Sequence, residues 1–374
     1  MNKARPHIAI LTPFLHHASG YGGITPWLVN LANGFVEKGA KVDILVNAKQ
    51  ETQLNYPPLH DAIQVINQGY HKYEAFKALL DYIDKEHPSV LLTAGHRYNG
   101  MGAWAKRFVK GNTKIFLSMH ENISAGSKNM SWLKKRLRYS GIRHLFPTTD
   151  GVISVSRGVA DDLIKLGLPE KRSHVIYNPI VNQTLIEQSL AVTEHPWLQE
   201  KTTAVLVGVG RLEPQKDYQT LLRAVAIVNK RRPCRLIILG EGREREALSS
   251  LANQLGIQPQ LDMPGHVSNP FNYMRASDLF VLSSAWEGFG NVLAEALAVG
   301  TPVVSTDCPS GPSEILNNGE FGPLVAMQDP NALAKAICAT LDNPLPAETL
   351  QARGQSFSVQ TAIDQYWQHM LGEI

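Results

Sequence analysis

The chain has 374 residues, more than one ordinary hydrophobic core holds and a comfortable length for two domains. Apolar residues make up 44% and charged residues 18%, a globular composition that excludes disordered and fibrous classes. The net charge of +3 hides an uneven division: residues 1–180 carry 23 Lys and Arg against 13 Asp and Glu, whereas residues 181–374 carry 13 against 20. Three cysteines, Cys234, Cys308 and Cys338, are an odd number without metal-ligand spacing. They argue against a disulfide scaffold and for a reducing, cytoplasmic compartment. The opening MNKARPHIAILTPFLHH resembles a signal peptide only in its first residues. Thr12 and Pro13 interrupt its short apolar run and no small-residue cleavage site follows, so a buried strand is expected there. No apolar stretch approaches the ~18 residues that span a bilayer, so membrane association, if any, would be peripheral.

In chain order, HIAILTPF, KVDILVN, SVLLTAG, KIFLSMH and GVISVS read as buried strands, with a helix through ITPWLVNLANGFVEKG that Gly39 stops. The cycle restarts at TAVLVGVGR and runs through a helix at LLRAVAIVNKR, strand RLIILGEG, a helix at EREALSSLANQLG, strand DLFVLSS, helix NVLAEALAVG and strand TPVVST. Such alternation predicts an α/β protein with two doubly wound, Rossmann-like domains in tandem. Their expected bounds are 1–180 and 181–356, with residues from about 178 to 203, which include Pro179 and Pro196, as a connection compatible with a short helix. The closing segment places Ile363, Tyr366, Trp367 and Met370 on one helical face. That stripe either finishes the second domain or lets residues 357–374 pack back on the first.

Three loops carry candidate chemistry. After the first strand, HHASGYGGIT brings Gly20, Gly22 and Gly23 before a helix, where backbone amides can approach an anion; a plain strand-to-helix turn is the alternative. At the corresponding place in the second half, VGVGRLEPQKD sets Arg211 and Lys216 five residues apart. They suit a diphosphate clamp, one as a planar fork and one as a point charge, or they are a solvated surface pair. Residues 283–306, SSAWEGFGNVLAEALAVGTPVVST, supply a strand end, a loop with Glu287, Gly288, Phe289 and Gly290, and a helix from Asn291. Glu295 lies about one turn into that helix, so two carboxylates flank a helix N-terminus able to hold an anion on its amides.

EGFGNVLAEALAVGTPVVSTD, with Glu287 and Glu295 eight apart, resembles the signature of retaining family 4 glycosyltransferases of the two-domain GT-B fold. GYGGIT, VSRGVADDL with YNP at 177–179, VGVGRLEPQKD, MPGHV and FSVQTAIDQY resemble further family segments in the same order. The resemblance implies an interdomain cleft with the nucleotide-sugar donor mainly on the second domain and the acceptor on the first. It implies that Arg211 and Lys216 neutralise the donor diphosphate, aided by amides of Gly22, Gly290, Asn291 and Val292. Glu287 would hold sugar hydroxyls, Glu295 the ribose, and backbone near His266 and Val267 the base. His120, in SMHEN, matches a histidine over the donor sugar; a strand-end histidine satisfied by backbone is the alternative. The family implies front-face attack with retention, in which stabilising the departing diphosphate is the main catalytic task.

Asp-x-Asp does not occur in the sequence, so no metal site and no cofactor beyond the donor substrate are expected. STDCPSGPSEIL, residues 305–316, resembles the loop of transferases that use UDP-linked galactose, N-acetylgalactosamine or N-acetylglucosamine, which favours a UDP-sugar over GDP-mannose. Residues 128–146, KNMSWLKKRLRYSGIRHLF, interleave Lys128, Lys134, Lys135, Arg136, Arg138 and Arg143 with Trp132, Leu133, Leu137, Ile142, Leu145 and Phe146, without an acidic residue. An amphipathic basic helix there would meet an anionic membrane surface or a phosphorylated glycolipid acceptor, or else be an ordinary surface helix. No nucleic-acid-binding module accompanies the charge. The expected activity is transfer of a hexose or N-acetylhexosamine from a UDP-sugar to a surface glycan or lipid-linked acceptor such as lipopolysaccharide. A UDP-sugar 2-epimerase of the same architecture and a non-catalytic sugar-nucleotide binder are the alternatives.

Overall fold

A computed structural model describes residues 5–12, 24–47, 59–69, 71–128 and 130–372. The chain divides into two compact units, residues 1–179 with 359–374, and residues 180–358. In the first, strands β1 (His7–Thr12), β2 (Lys41–Val46), β3 (Gln64–Asn67), β4 (Val90–Ala94), β5 (Lys114–Met119), β6 (Gly151–Ser154) and β7 (Ser173–Val175) form one parallel sheet. Their order is β3-β2-β1-β4-β5-β6-β7. The inner strands β1 and β4 are buried at every residue, which is why they read as unbroken apolar runs rather than alternating ones.

The second unit repeats the plan with β8 (Ala204–Val209), β9 (Cys234–Leu239), β10 (Leu261–Gly265), β11 (Leu279–Leu282), β12 (Val303–Thr306) and β13 (Leu324–Val325). These strands are parallel in the order β10-β9-β8-β11-β12-β13. Both sheets thus reverse direction of winding once, between β1 and β4 and between β8 and β11. In doubly wound sheets ligands bind outside the carboxyl ends of the strands at such a switch point.

The carboxy-terminal helix Val359–Leu371 belongs with the first unit. Its Ala362, Ile363, Tyr366 and Met370 share a core with Trp27, Leu28, Leu31 and Phe35 of the helix Ile24–Glu37. Trp367, expected in the apolar stripe, is only partly buried and lies under the Lys38 ammonium, 5.4 Å from its ring centre. Lys38 also pairs with Asp364. The two helices meet at Gly34, where a Cβ would stand 2.6 Å from Ile363 Cγ1.

Two expectations need correction. The chain passes between units after residues 179 and 358 rather than 180 and 356, because Ile180 and Val181 donate backbone hydrogen bonds to Phe357 O within the second unit. Residues 180–203, expected as the connection, belong to the second unit. They form helices Gln183–Ser189 and Pro196–Gln199, held to the second unit by His195 Nε2 with Asp262 Oδ2 at 2.8 Å and by Asn269 Nδ2 donating to Gln188 O at 2.8 Å. Its polar residues serve as caps and tethers: Asn182 and His195 accept from Leu185 and Trp197 amides.

Gly34→Val drives a branched side chain into Ile363, and overpacking of this kind costs about 1–3 kcal/mol. The variant is expected to melt several degrees below the parent, while Gly111→Ala, with open space where its Cβ would stand, leaves the melting temperature close to the parent's.

Candidate functional site

The candidate site of the second unit assembles at its switch point. After β8 the chain turns through Gly210 and Arg211, makes a single 3-10 turn over Pro214–Lys216, and enters the helix Tyr218–Asn229. Asp217 sits between them in the left-handed region, at φ 44°, and caps the helix by accepting from the Thr220 amide. The Arg211 loop is pinned to the end of β9: Gly210 N donates to Leu239 O and Leu212 N to Glu241 O, both at 2.9 Å. Gly240 permits this approach, since a Cβ there would fall 2.1 Å from Gly210 O. Arg211 is exposed at the head of the loop; Lys216 reaches inward.

Lys216 Nζ meets Glu287 Oε1 at 2.6 Å, joining the loop after β8 to the loop after β11. The carboxylate is buried at 6% exposure and its partners are numerous. Ser284 Oγ donates to Oε1 at 2.7 Å and Gln215 Nε2 approaches Oε2 at 3.5 Å while donating to Trp286 O at 2.9 Å. Ala285 N donates to Gln215 O at 2.8 Å and Ser283 Oγ to Lys216 O at 2.7 Å, so backbone and side chains knit the two loops together. A buried charge is tolerable only when paired and hydrogen-bonded in this way. The negative charge of Glu287 also helps push the Cys308 thiol up to about 12, second to burial itself, and burial likewise raises the neighbouring Tyr218 hydroxyl.

The helix Asn291–Ala298 begins directly after this carboxylate, with Gly290 as its cap at φ 96°. Gly288 is half-buried, Phe289 is buried against Phe357 at a ring separation of 5.4 Å, and Asn291 and Val292 open the first turn. Glu295, one turn on, is half-buried; burial holds its carboxyl up at about 7, against an opposing pull from Lys216. His266 is exposed and Val267 half-buried just past the carboxyl end of β10.

The expected residues of the second unit therefore lie at the carboxyl ends of β10, β8 and β11, with β9 between β10 and β8. At about 4.8 Å between strands that rim extends roughly 14 Å, the scale of an extended nucleoside diphosphate sugar. Sequence reasoning missed Ser284 and Gln215. Their signal was present: polar residues abutting buried strand ends beside Glu287 and Lys216 have to be hydrogen-bonded within the protein.

In the first unit, Gly22 and Gly23 lie outside the described residues. His120 stands at the carboxyl end of β5. Its Nε2 is 2.9 Å from Ser118 Oγ, and Trp27 packs edge-on at 4.5 Å between ring centres, so a hydroxyl rather than backbone partners the ring. Burial pushes the imidazole down to about 3, which keeps it neutral at physiological pH. Glu121 beside it is ion-paired with Arg138.

That pairing corrects the reading of residues 128–146. The segment is not one amphipathic helix but a helix Trp132–Ser140, a π turn Gly141–Leu145 and a 3-10 turn Phe146–Thr148. Arg138 faces inward, buried between Glu121 and Ser127, while Ile142 and Phe146 are core. Outward stand Trp132, Leu133 and Leu137, exposed by 70%, 58% and 66%, among exposed Lys134 and Arg136. The Arg136 guanidinium covers the Trp132 ring at 5.4 Å. Among the described residues no group of three or more His, Cys, Asp or Glu side chains is placed to hold a metal ion, and no helix is long and apolar enough to cross a membrane.

Family models match both halves of the chain. Residues 21–183 match the family described as Glycosyltransferase Family 4, and residues 193–357 match Glycosyl transferases group 1. An N-acetylgalactosamine-N,N'-diacetylbacillosaminyl-diphospho-undecaprenol 4-alpha-N-acetylgalactosaminyltransferase of Campylobacter jejuni is 32% identical over 200 residues, 53% of each chain. The lipopolysaccharide core biosynthesis glycosyltransferase LpsE of Rhizobium meliloti is 33% identical over 230 residues, covering 60% of this chain and 64% of that protein. The chain thus spans a little over half the length of these curated relatives. In fold it is similar to Anabaena Alr3699/HepE in complex with UDP, at a TM-score of 0.78 and 19% identity over 96% of this chain and 98% of that one. It is likewise similar to the apo form of the lipopolysaccharide outer core galactosyltransferase WaaB, at a TM-score of 0.74 and 18% identity over 98% of this chain and 100% of that one.

The raised carboxyl of Glu295 has a sign that can be measured. From the ordinary value of 4.5 up to about 7 the unfolded chain ionises this group while the folded one resists, so the residue costs stability as pH rises through that window. Glu295→Gln is expected to be more stable than the parent at pH 8, by on the order of 1–3 kcal/mol, and equal to it near pH 4. Melting curves across that range read the difference.

Proposed function

The chain is a glycosyltransferase, a member of the GT-B enzymes that join a family 4 domain to a group 1 domain, and from that membership we propose that it moves a hexose or N-acetylhexosamine from a UDP-sugar to a lipopolysaccharide or lipid-linked glycan. The observation that carries this reading is the meeting of Lys216 and Glu287 at 2.6 Å where β8 and β11 diverge. A nucleoside diphosphate sugar laid along the strand ends puts its base by His266 and Val267, its diphosphate by Arg211, Lys216 and the Gly290 cap, and its sugar by Glu287. Lys216 has three donors, so it can keep Glu287 and still reach a phosphate oxygen.

The chemistry follows from where charge develops. Breaking the bond from anomeric carbon to phosphate leaves a diphosphate, and fixed positive groups aimed at it lower the barrier without reorganising. Arg211, Lys216 and the first turn of the helix Asn291–Ala298 serve that purpose in place of a divalent cation. The acceptor attacks from the face the diphosphate leaves, which retains configuration, and the departing phosphate takes the acceptor's proton. Glu295 binds the ribose hydroxyls as a carboxylate, and those hydrogen bonds favour its ionised form, so donor binding near pH 7 releases a proton.

Acceptor type is supported by the Campylobacter and Rhizobium relatives, whose names place them on a diphospho-undecaprenol glycan and on the lipopolysaccharide core. The exposed Trp132, Leu133 and Leu137 with Lys134 and Arg136 suit peripheral docking on an anionic, cytoplasmic membrane face, where aromatic and aliphatic groups enter the headgroup boundary.

A panel of UDP-galactose, UDP-N-acetylgalactosamine, UDP-N-acetylglucosamine and GDP-mannose, read by slow hydrolysis, identifies the donor. A UDP-sugar should be cleaved, and Lys216→Ala and Glu295→Ala should each lower the rate by about 100-fold or more. Preference for GDP-mannose, or conversion of UDP-N-acetylglucosamine to its 2-epimer, would replace the reading. In flotation with phosphatidylglycerol vesicles, Trp132→Ser with Leu137→Ser should lose binding that the parent shows, without change in hydrolysis.

A further inference from the structure

Between β5 and the helix Trp132–Ser140, a buried arginine holds a carboxylate that is itself half in solvent. Arg138 has 5% of its side chain exposed and Glu121 48%. Arg138 Nη2 donates to Glu121 Oε1, and Nη1 donates to Ser127 Oγ at 3.1 Å. Its Nε meets no acceptor among the described residues. Glu121 directly follows His120 at the carboxyl end of β5, on the edge of the sheet where doubly wound folds bind ligands. The backbone beside it is fixed as well. Asn122 caps the turn Ile123–Gly126 by accepting from Ala125 N at 2.9 Å, and Ser124 N donates to the buried Asp162 at 3.0 Å. Glu121 Oε2, the oxygen that Arg138 does not grip, lies over Gly126, 3.5 Å from where a Cβ would stand.

Stability alone does not account for this arrangement. Taking a guanidinium out of water is costly, and a half-solvated carboxylate on one side with an orphan Nε–H on the other offsets that cost poorly. The nearby inward positions Ile142 and Phe146 show that this segment buries apolar side chains readily. What Arg138 supplies is preorganisation: one carboxylate oxygen is held and the other is presented on a rigid turn. A carboxylate only accepts, so its ligand must donate. The ion pair is neutral overall and draws neither anions nor cations strongly, which leaves hydroxyls as the matching donors. The lone pairs of Oε2 can take two hydroxyls from adjacent carbons of one sugar ring.

We propose that Glu121 binds hydroxyls of the acceptor sugar and that Arg138 is its positioning residue. The sugar's role as acceptor rests on the transferase reading, in which the donor sugar has its own carboxylate, Glu287, in the second unit. Binding of a sugar at Glu121 rests on the first unit's geometry alone. A ring held by two adjacent hydroxyls has its remaining groups fixed in direction, so the pair acts on which acceptor is taken.

The test titrates the full chain, with and without UDP, with the methyl glycosides of galactose, glucose, N-acetylgalactosamine and N-acetylglucosamine, read by saturation-transfer NMR. Glycerol 3-phosphate is the anionic control. At least one glycoside should bind the parent, and Glu121→Gln should weaken it about tenfold or more, the size of a hydrogen bond to a charged group. That variant strands the Arg138 charge, so Glu121→Gln combined with Arg138→Met repeats the measurement without it and should show the same loss. Arg138→Met alone keeps the carboxylate but frees it, and should weaken binding about threefold. It should also melt at or above the parent's temperature, since an apolar side chain replaces a poorly paired buried charge. UDP affinity, measured by calorimetry, should be the same in the parent and all three variants. A parent that binds no glycoside, a double variant that binds it as the parent does, or glycerol 3-phosphate bound in place of the glycosides overturns the proposal. So does an Arg138→Met variant that melts lower with glycoside affinity unchanged, the mark of a purely structural arginine. A Glu121→Gln effect confined to UDP-galactose or another UDP-sugar assigns the residue to the donor and overturns it too. A parent that binds a glycoside but no UDP removes the donor reading and leaves Glu121 standing.

Discussion

The adjacency of β8 and β11 is the constraint on which the second unit's site depends. Leu279 pairs with Leu206 and Phe280 with Val207, so two strands about seventy residues apart in sequence run side by side and release their loops at the same edge. Their helices leave to opposite faces of the sheet, which opens a gap between the loops. Lys216 and Glu287 close the base of that gap from either side. Neither residue would be placed by its own loop alone, since each loop is hydrogen-bonded to the other through Gln215, Ala285, Ser283 and Lys216 O.

Two glutamates eight residues apart end in different electrostatic conditions, and their surroundings account for it. Glu287 is buried deeper but is met by an ammonium and a hydroxyl, whereas Glu295 has only a distant attraction to Lys216 against its burial. A carboxyl balanced near neutrality is useful where hydroxyls are to be bound, because the ligand itself supplies the hydrogen bonds that favour the charged form.

The inner strands and the glycine loop after β11 were legible because burial on both faces leaves an unmistakable apolar run, and because Glu287, Gly290 and Glu295 keep fixed spacing on one loop and helix. The edge strands were not. β3 is QVIN with mostly exposed residues, β10 contains Pro264, and β13 is two residues long. Edge positions of this kind carry little apolar signal, since short, polar or proline-bearing edges protect a sheet from pairing with its neighbours. Residues 128–146 misled for a related reason. Composition shows that charge and apolarity are mixed, but Arg138 turns inward to Glu121 while Trp132 turns out, and the side chain that faces the core is decided by a partner seventeen residues away.

The return of the helix Val359–Leu371 to the first unit has a consequence for how the molecule is made. Trp27 and Tyr366 are separated by 339 positions, yet they share one core and one hydrogen bond. Residues 180–358 are continuous and can close their own sheet as soon as they emerge from the ribosome. The first unit, though synthesised earlier, lacks part of its core until Met370 is available, and the loop that must be closed is nearly the whole chain. Order of synthesis and order of completion are thus reversed, and the part of the helix Ile24–Glu37 that meets Ile363 and Tyr366 stays uncovered through most of translation.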